Sequence, residues 1–368
     1  MHWFEIENSH EIDSPSVVLY EAHFMHNLST MLNMVKGDVS RLMPHVKTHK
    51  MPEVVKRMLA LGITRFKVST LAEAEMVAFS GASTVLLAHQ LVGPKISHLG
   101  KLIQKFPNVS FCVIADNAVT LGQLETEAGI RTKLLGVYID INNGMDRSGI
   151  KPGTGMEQLT EAFSNYKNLV FKGFHVYDGH LRQPEYTYRK TEIENSLHTL
   201  EPYFRAAKKR YPEIELICGG TPSFSTHALY NDRVCSPGTC VFWDWGYSEK
   251  LAEQPFKWAV LLLTRVISKP AEGIVTIDLG HKAVAAENPI DQRVRFLNLE
   301  TYTLLSQSEE HGVLKVENAD ALPIGTVLYG VPYHICPTIN LHHHISVIRK
   351  GKKVTEWEIL ANRRKLTI

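Results

Sequence analysis

The 368-residue sequence has only five cysteines, Cys112, Cys218, Cys235, Cys240 and Cys336, and no two of them form a CxxC pair. Their odd number and scatter speak against a disulfide framework and fit a reducing cytoplasm. An excess of one charge is lacking too: 40 Lys and Arg stand against 38 Asp and Glu, a formal net charge of +2. Neither a nucleic-acid-binding surface nor an acidic solvating tail is indicated. The longest aliphatic run, around Trp258 to Leu263, is far too short to span a bilayer. The N-terminus MHWFEIENSHEI shows no basic region followed by an apolar one, so a soluble, unprocessed protein is expected. No repeat, low-complexity tract or flexible linker stands out. With 44% hydrophobic and 21% charged residues, a sizeable core can form, and disorder, collagen and coiled coil are excluded.

Apolar runs bounded by turn signals alternate with 3.6-periodic stretches from about residue 40 to residue 245. The strand candidates are 41–47, 66–70, 85–89, 110–115, 133–141, 169–177, 214–218 and 234–242. Helical patterns such as PEVVKRMLALG and PKISHLGKLIQKF lie between most of them. Eight strands alternating with helices predict an α/β fold with a parallel sheet, and eight is the number that closes a (β/α)8 TIM barrel. A doubly wound open sheet would need a topological break that the sequence does not show. Beyond residue 250 the runs are strand-like, from KWAVLLLTRVIS to KVTEWEIL, with TVLYGVPYHICPTINL among them. The predicted division is a barrel over 22–248 and an all-β domain built from 1–21 and 249–368.

In such a barrel the chemistry sits at the C-terminal ends of the strands. The first candidate strand ends in Pro44-His45-Val46-Lys47-Thr48-His49-Lys50. This is either a solvated basic turn or a lysine at the barrel mouth, where neighbouring cations and desolvation favour a Schiff-base nucleophile. The fifth ends in a Gly-bounded loop carrying Arg147, and the sixth in His175-Val176-Tyr177-Asp178-Gly179-His180. After the seventh and eighth come Gly219-Gly220-Thr221 and Ser236-Pro237-Gly238-Thr239, whose bare amides and hydroxyls suit a phosphate.

In the β domain, His334 and Cys336 stand two apart in an apolar run, so on a strand they face one side. Imidazole and thiolate together suit a borderline-soft cation such as Zn²⁺, while a buried His beside a buried Cys is the packing alternative. The run His342-His343-His344 reads as a partly solvated edge.

Together these residues resemble the D-threonine aldolase and D-serine dehydratase family of fold-type III pyridoxal-phosphate enzymes, which join an alanine-racemase-like barrel to a β domain. The resemblance covers nearly the whole chain. It implies that Lys47 of PHVKTHK carries pyridoxal 5'-phosphate and that Arg147, in Asp-x-Asn-x-Gly-x-x-Arg-x-Gly, approaches its phenolic oxygen. It further implies that Tyr177 and His180 lie by the ring and the substrate hydroxyl, with His180 catalytic alongside Lys47. By the same likeness Gly220, Thr221, Gly238 and Thr239 hold the phosphate, and His334 with Cys336 holds a divalent metal, Mn²⁺, Zn²⁺ or Mg²⁺. A homodimer acting on small D-amino acids, with neither nucleic acid nor membrane as partner, is implied as well.

Two departures bear on the reaction. In well-known aldolase members of the family the second metal ligand is a carboxylate, whereas Cys336 is the dehydratase choice. Ser236 stands where alanine racemases place an arginine facing the ring nitrogen, which disfavours a simple racemase. The leading expectation is retro-aldol cleavage of D-β-hydroxy amino acids to glycine and an aldehyde. A D-serine or D-threo-3-hydroxyaspartate dehydratase is the alternative, and a non-catalytic pyridoxal-phosphate-binding protein the second alternative.

Overall fold

The computed structural model describes residues 2–368, which divide into two compact units. One comprises Leu32–Lys47, Pro52–Gly238 and Arg363–Ile368; the other comprises the residues up to Met31, Thr48–Met51 and Thr239–Asn362. In chain order the strands are β1 (Ser16–Tyr20), β2 (Arg65–Val68), β3 (Thr84–Leu87), β4 (Ser110–Ala115), β5 (Leu135–Ile141), β6 (Leu169–Val176), β7 (Glu215–Cys218) and β8 (Arg233–Cys235). There follow β9 (Val260–Ala271), β10 (Ile274–Ile277), β11 (Val294–Phe296), β12 (Tyr302–Gln307), β13 (Gly312–Val316), β14 (Val327–Pro332), β15 (His344–Arg349) and β16 (Lys352–Glu358). Among the described residues no helix is long and apolar enough to cross a membrane.

In the first unit β2 to β8 pair in chain order as one seven-stranded parallel sheet. β5, LGVYIDI, is buried along its whole length, as a parallel sheet covered on both faces requires. Helices such as Leu71–Phe79 and Ala118–Arg131 connect the strands. Their first turns are closed by Thr70 and Asn117, whose side chains accept from Glu73 N and Thr120 N and so satisfy amides the helix leaves open. Met43, Leu86, Cys112, Ile114, Tyr138, Ile217 and Val234 form one buried cluster, a packed interior rather than a pore.

The expected first strand, 41–47, forms no ladder. Leu42 bridges Cys235 and His45 bridges Lys67, both in parallel, so the segment fills the eighth place between β8 and β2 through isolated contacts. Pro44 explains this, because it has no N–H to donate. The bonds that remain are Met43 N to Cys235 O, His45 N to Pro237 O and Lys67 N to Pro44 O, each 2.9 Å. A 3-10 turn, Val46–Thr48, then carries Lys47. The last strand also ends early, at Cys235, and the expected strand residues Thr239–Val241 form another 3-10 turn.

The second unit is a mostly antiparallel sheet in the order β12-β13-β10-β9-β1-β15-β16, with β14 also on β9 and β11 on β14. β1 lies antiparallel to β9 and parallel to β15. Phe4, Ile6, Val18, Tyr20, Leu261, Leu263, Tyr329 and Val331 belong to its buried core. The run TVLYGVPYHICPTINL is not one strand: β14 stops at Pro332 and a helix, Ile335–Asn340, follows. Pro337 falls in that helix's first turn, where a missing N–H costs nothing. Asp244 closes the helix start, its Oδ2 accepting from Ile335 N at 3.1 Å.

Candidate active site

At the C-terminal ends of the barrel strands three cations gather around one ring. The Tyr177 ring centroid lies 5.6 Å from Lys47 Nζ, 5.8 Å from Lys67 Nζ and 4.9 Å from the Arg147 guanidinium carbon. All four residues, with His45, Ser69, Ala88, His89, Gln90, Ser148 and His175, line a cavity of ≈ 420 Å³. The backbone N–H of Lys47 donates to His45 Nδ1 at 3.2 Å. Cations over a tyrosine face are stabilised by its quadrupole, yet three of them repel one another and favour an anionic guest.

Lys67 was not anticipated from sequence. Its strand, Arg65-Phe66-Lys67-Val68, alternates polar and apolar, which ordinarily reads as a solvent-facing polar side. In the closed barrel that side points inward: Lys67 is 2% exposed and lies 3.4 Å from His175 Nε2 and 3.3 Å from Gly219 O. Burial, with the positive charge of Lys47 beside it, pulls its amine down to about 7 against the attraction of Asp178 and Asp140. His175 Nδ1 is 2.8 Å from Asp140 Oδ1. Burial and Lys67 disfavour the charged imidazole; at Asp140 burial opposes ionisation, but the bond and charge of His175 together with bonds from Ser148 and Gln90 outweigh it and hold that carboxyl low.

The glycine turn after β7 is braced from below. Gly219 adopts φ +67°, and a Cβ there would stand 2.3 Å from Ser223 Oγ. Ser223 Oγ donates to Asp178 Oδ1 at 2.5 Å, and His227 Nε2 meets Asp178 Oδ2 at 2.6 Å. A Cβ on Gly220 would come within 3.1 Å of the Tyr177 ring, so the bare backbone permits that approach. Gly220 N donates to Ser223 Oγ at 3.3 Å and Gly238 N to Thr221 Oγ1 at 3.1 Å, so a phosphate accepting from either amide would exchange an internal bond for an external one. Thr239 lies in the second unit, with its hydroxyl 3.3 Å from Cys336 Sγ.

His180 Nδ1, Ser236 Oγ and Asn143 Oδ1 are among the buried polar atoms of the first unit that lack a hydrogen-bond partner. Such atoms are costly unless a ligand or water completes them. With an amine, three cations, a bare glycine turn and orphaned polar atoms on the barrel's strand ends, these residues fit a phosphorylated aromatic aldehyde.

In the second unit His334 and Cys336 do converge, but on the N-cap and second residue of a helix rather than along a strand. His334 Nδ1 meets Glu287 Oε1 at 2.6 Å, a carboxylate contact that fixes the orientation of the imidazole. Burial lowers the His334 pKa, but bonding and charge from Cys336, with Asp244 and Glu287, push it up to about 9. Cys336 Sγ lies 3.1 Å from Thr48 Oγ1. An imidazole and a thiol suit a borderline-soft cation. Among the described residues no group of three or more His, Cys, Asp or Glu side chains could hold a metal ion. His342 is bound by its Nε2 to Ala283 O and is no ligand to this pair.

Two family models match: "Alanine racemase, N-terminal domain" over residues 20–244 and "Putative serine dehydratase domain" over 259–348. A D-threonine aldolase from Arthrobacter is 29% identical over 95% of this chain and 93% of its own. A D-threo-3-hydroxyaspartate dehydratase from Delftia is 22% identical over 95% of this chain and 97% of its own. The crystal structure of D-threonine aldolase from Filomicrobium marinum superposes with a TM-score of 0.86 at 26% identity, covering 96% of both chains. With well over half its length matched by the first model and the remaining β sheet largely by the second, the chain belongs to the alanine racemase N-terminal domain family, in the branch that carries a serine dehydratase-type β domain.

Proposed function

We propose that the protein is a pyridoxal-phosphate- and divalent-metal-dependent lyase that cleaves D-β-hydroxy amino acids by a retro-aldol reaction, giving glycine and an aldehyde. The observation that carries the reading is the grouping of Lys47 and Arg147 on the Tyr177 ring at the barrel mouth. Lys47 would supply the amine that holds the cofactor, with Arg147 as its cationic partner and Tyr177 as support for its ring. Gly220, Thr221, Gly238 and Thr239 are assigned to the phosphate. When bound, pyridoxal phosphate supplies an electron sink for charge developing at the substrate Cα. His180, whose Nδ1 is buried and unpartnered, takes the proton of the β-hydroxyl as the Cα–Cβ bond breaks.

His334 and Cys336 would hold Mn²⁺, Zn²⁺ or Mg²⁺, which supplies Lewis acidity toward a hydroxyl. Their thiolate and imidazole support a second reading, β-elimination to a 2-oxo acid and ammonia, in which Lys47 removes the α-proton. D-threonine separates the two. Glycine and acetaldehyde are expected; 2-oxobutanoate and ammonia would replace the aldolase reading with the dehydratase one, and no product with bound cofactor would leave a carrier. We further assign a homodimer in the cytoplasm, the five free thiols supporting the compartment. Light scattering should give twice 41.5 kDa, and an active species near 41.5 kDa would contradict the dimer.

A further inference from the structure

Lys67 is the one cation on the Tyr177 ring to which that chemistry gives no task. Lysine is almost never fully buried unless paired, and an apolar side chain of similar length would avoid the desolvation. The partners of Lys67 are particular. Its amino group donates to Gly219 O at 3.3 Å and to His175 Nε2 at 3.4 Å. With Asp140 Oδ1 2.8 Å from His175 Nδ1, the ring places its hydrogen on Nδ1 and accepts on Nε2. Asp140 Oδ2 then accepts from Ser148 Oγ at 3.0 Å and from Gln90 Nε2 at 2.7 Å. An unbroken string of bonds therefore runs from the Gly219-Gly220 turn, through the barrel interior, to the residue that follows Arg147.

We propose that Lys67 is a positioning residue for the cofactor: it fixes the glycine turn relative to the Arg147 loop and adds positive potential beneath an anionic, phosphorylated ring. The inference rests on the pyridoxal-phosphate reading above. The groups that face Lys67 are Lys47, His175, Asp140, Asp178 and Cys218. Asp140 and Asp178 are engaged by His175 and His227, so neither is a direct partner of the Lys67 amine.

The test titrates apoprotein with pyridoxal phosphate and reads its Kd and the circular dichroism of the bound chromophore. Lys67→Met is expected to bind about 10-fold more weakly, the size of one charge-assisted hydrogen bond, and with diminished dichroism. Lys67→Arg should return both toward the wild type. His175→Gln, which keeps the charge but breaks the string, should lose dichroism more than affinity. Unchanged Kd and dichroism in Lys67→Met overturn the proposal while the cofactor reading stands, and so does an arginine variant as weak as the methionine one. Wild-type protein that does not bind pyridoxal phosphate overturns the cofactor reading itself and this proposal with it. If Lys67→Met does not fold, Lys67→Gln, which retains a donor for Gly219 O but no charge, takes its place with the same two readouts.

Discussion

The two ends of the barrel are built from the same strands yet handle charge in opposite ways. At the start of β2 and β7, Arg65 meets Glu215, with Nη1 to Oε1 at 2.9 Å, and the Tyr138 hydroxyl donates to the same carboxylate at 2.9 Å. One cation, one anion and one donor close on each other. At the strand ends Lys47, Lys67 and Arg147 share the Tyr177 ring, while the buried carboxylates Asp140 and Asp178 are engaged by histidines. The balanced end therefore serves stability, whereas the gathered cations of the other end favour an anionic ligand, the division of labour expected of this architecture.

The largest effect should come from removing the amine at the unbalanced end. Lys47→Ala is expected to lose the visible absorption of bound cofactor and to reduce turnover by at least about 10³-fold. If Lys50→Ala removes the absorption while Lys47→Ala retains it, Lys47 has been misassigned. Next is the metal pair: chelation, or His334→Ala, should abolish turnover while leaving cofactor absorption in place, with Mn²⁺ or Zn²⁺ restoring the chelated enzyme. Full turnover in metal-free protein would return His334 and Cys336 to a packing role.

At the balanced end the effect should be on stability alone. Arg65→Met leaves a part-buried Glu215 without its cation and should cost about 1–2 kcal/mol in denaturant unfolding, with the Kd for pyridoxal phosphate unchanged. A shifted Kd would mean that the two ends are not independent. The smallest effect is a pH signature of the unbalanced end. Lys67 is held down to about 7 in the folded protein and titrates near ~10.4 when unfolded. Between these values the unfolded chain holds a proton that the folded chain lacks, so the stability penalty of Lys67, which faces Lys47, His175, Asp140, Asp178 and Cys218, fades as pH rises. The melting-temperature advantage of the Lys67→Met apoprotein over wild type should therefore be greatest at pH 7 and shrink toward pH 10. An advantage independent of pH would show that burial does not hold the Lys67 amine down in the apoprotein.

What sequence could reveal follows the same contrast. Seven of the eight expected barrel strands, the switch to β texture near residue 250 and the basic cluster PHVKTHK were legible because they rest on local pattern and composition. Pro44 forbade a regular first strand, and that too is written in the sequence, although the bridges that replace the ladder are tertiary. His334 and Cys336 were paired by an argument from strand alternation, whereas a helix start brings them together; Pro337 was the available sign of a helix's first turn. Lys67, Glu287 and Asp244 went unrecognised because each acts through partners far along the chain. Glu287 reaches His334 across 47 residues and Lys67 reaches His175 across 108. In β2 the polar alternation was visible, but only barrel closure decides that the polar face looks inward.

The central claim is that the cationic barrel mouth binds pyridoxal phosphate through Lys47, and borohydride reduction of the reconstituted protein tests it most directly. Peptide mass spectrometry should find one pyridoxyl adduct per chain, on Lys47, with Lys50 and Lys67 unmodified. An adduct on Lys67 or Lys50, or no adduct on protein saturated with the cofactor, would contradict the account.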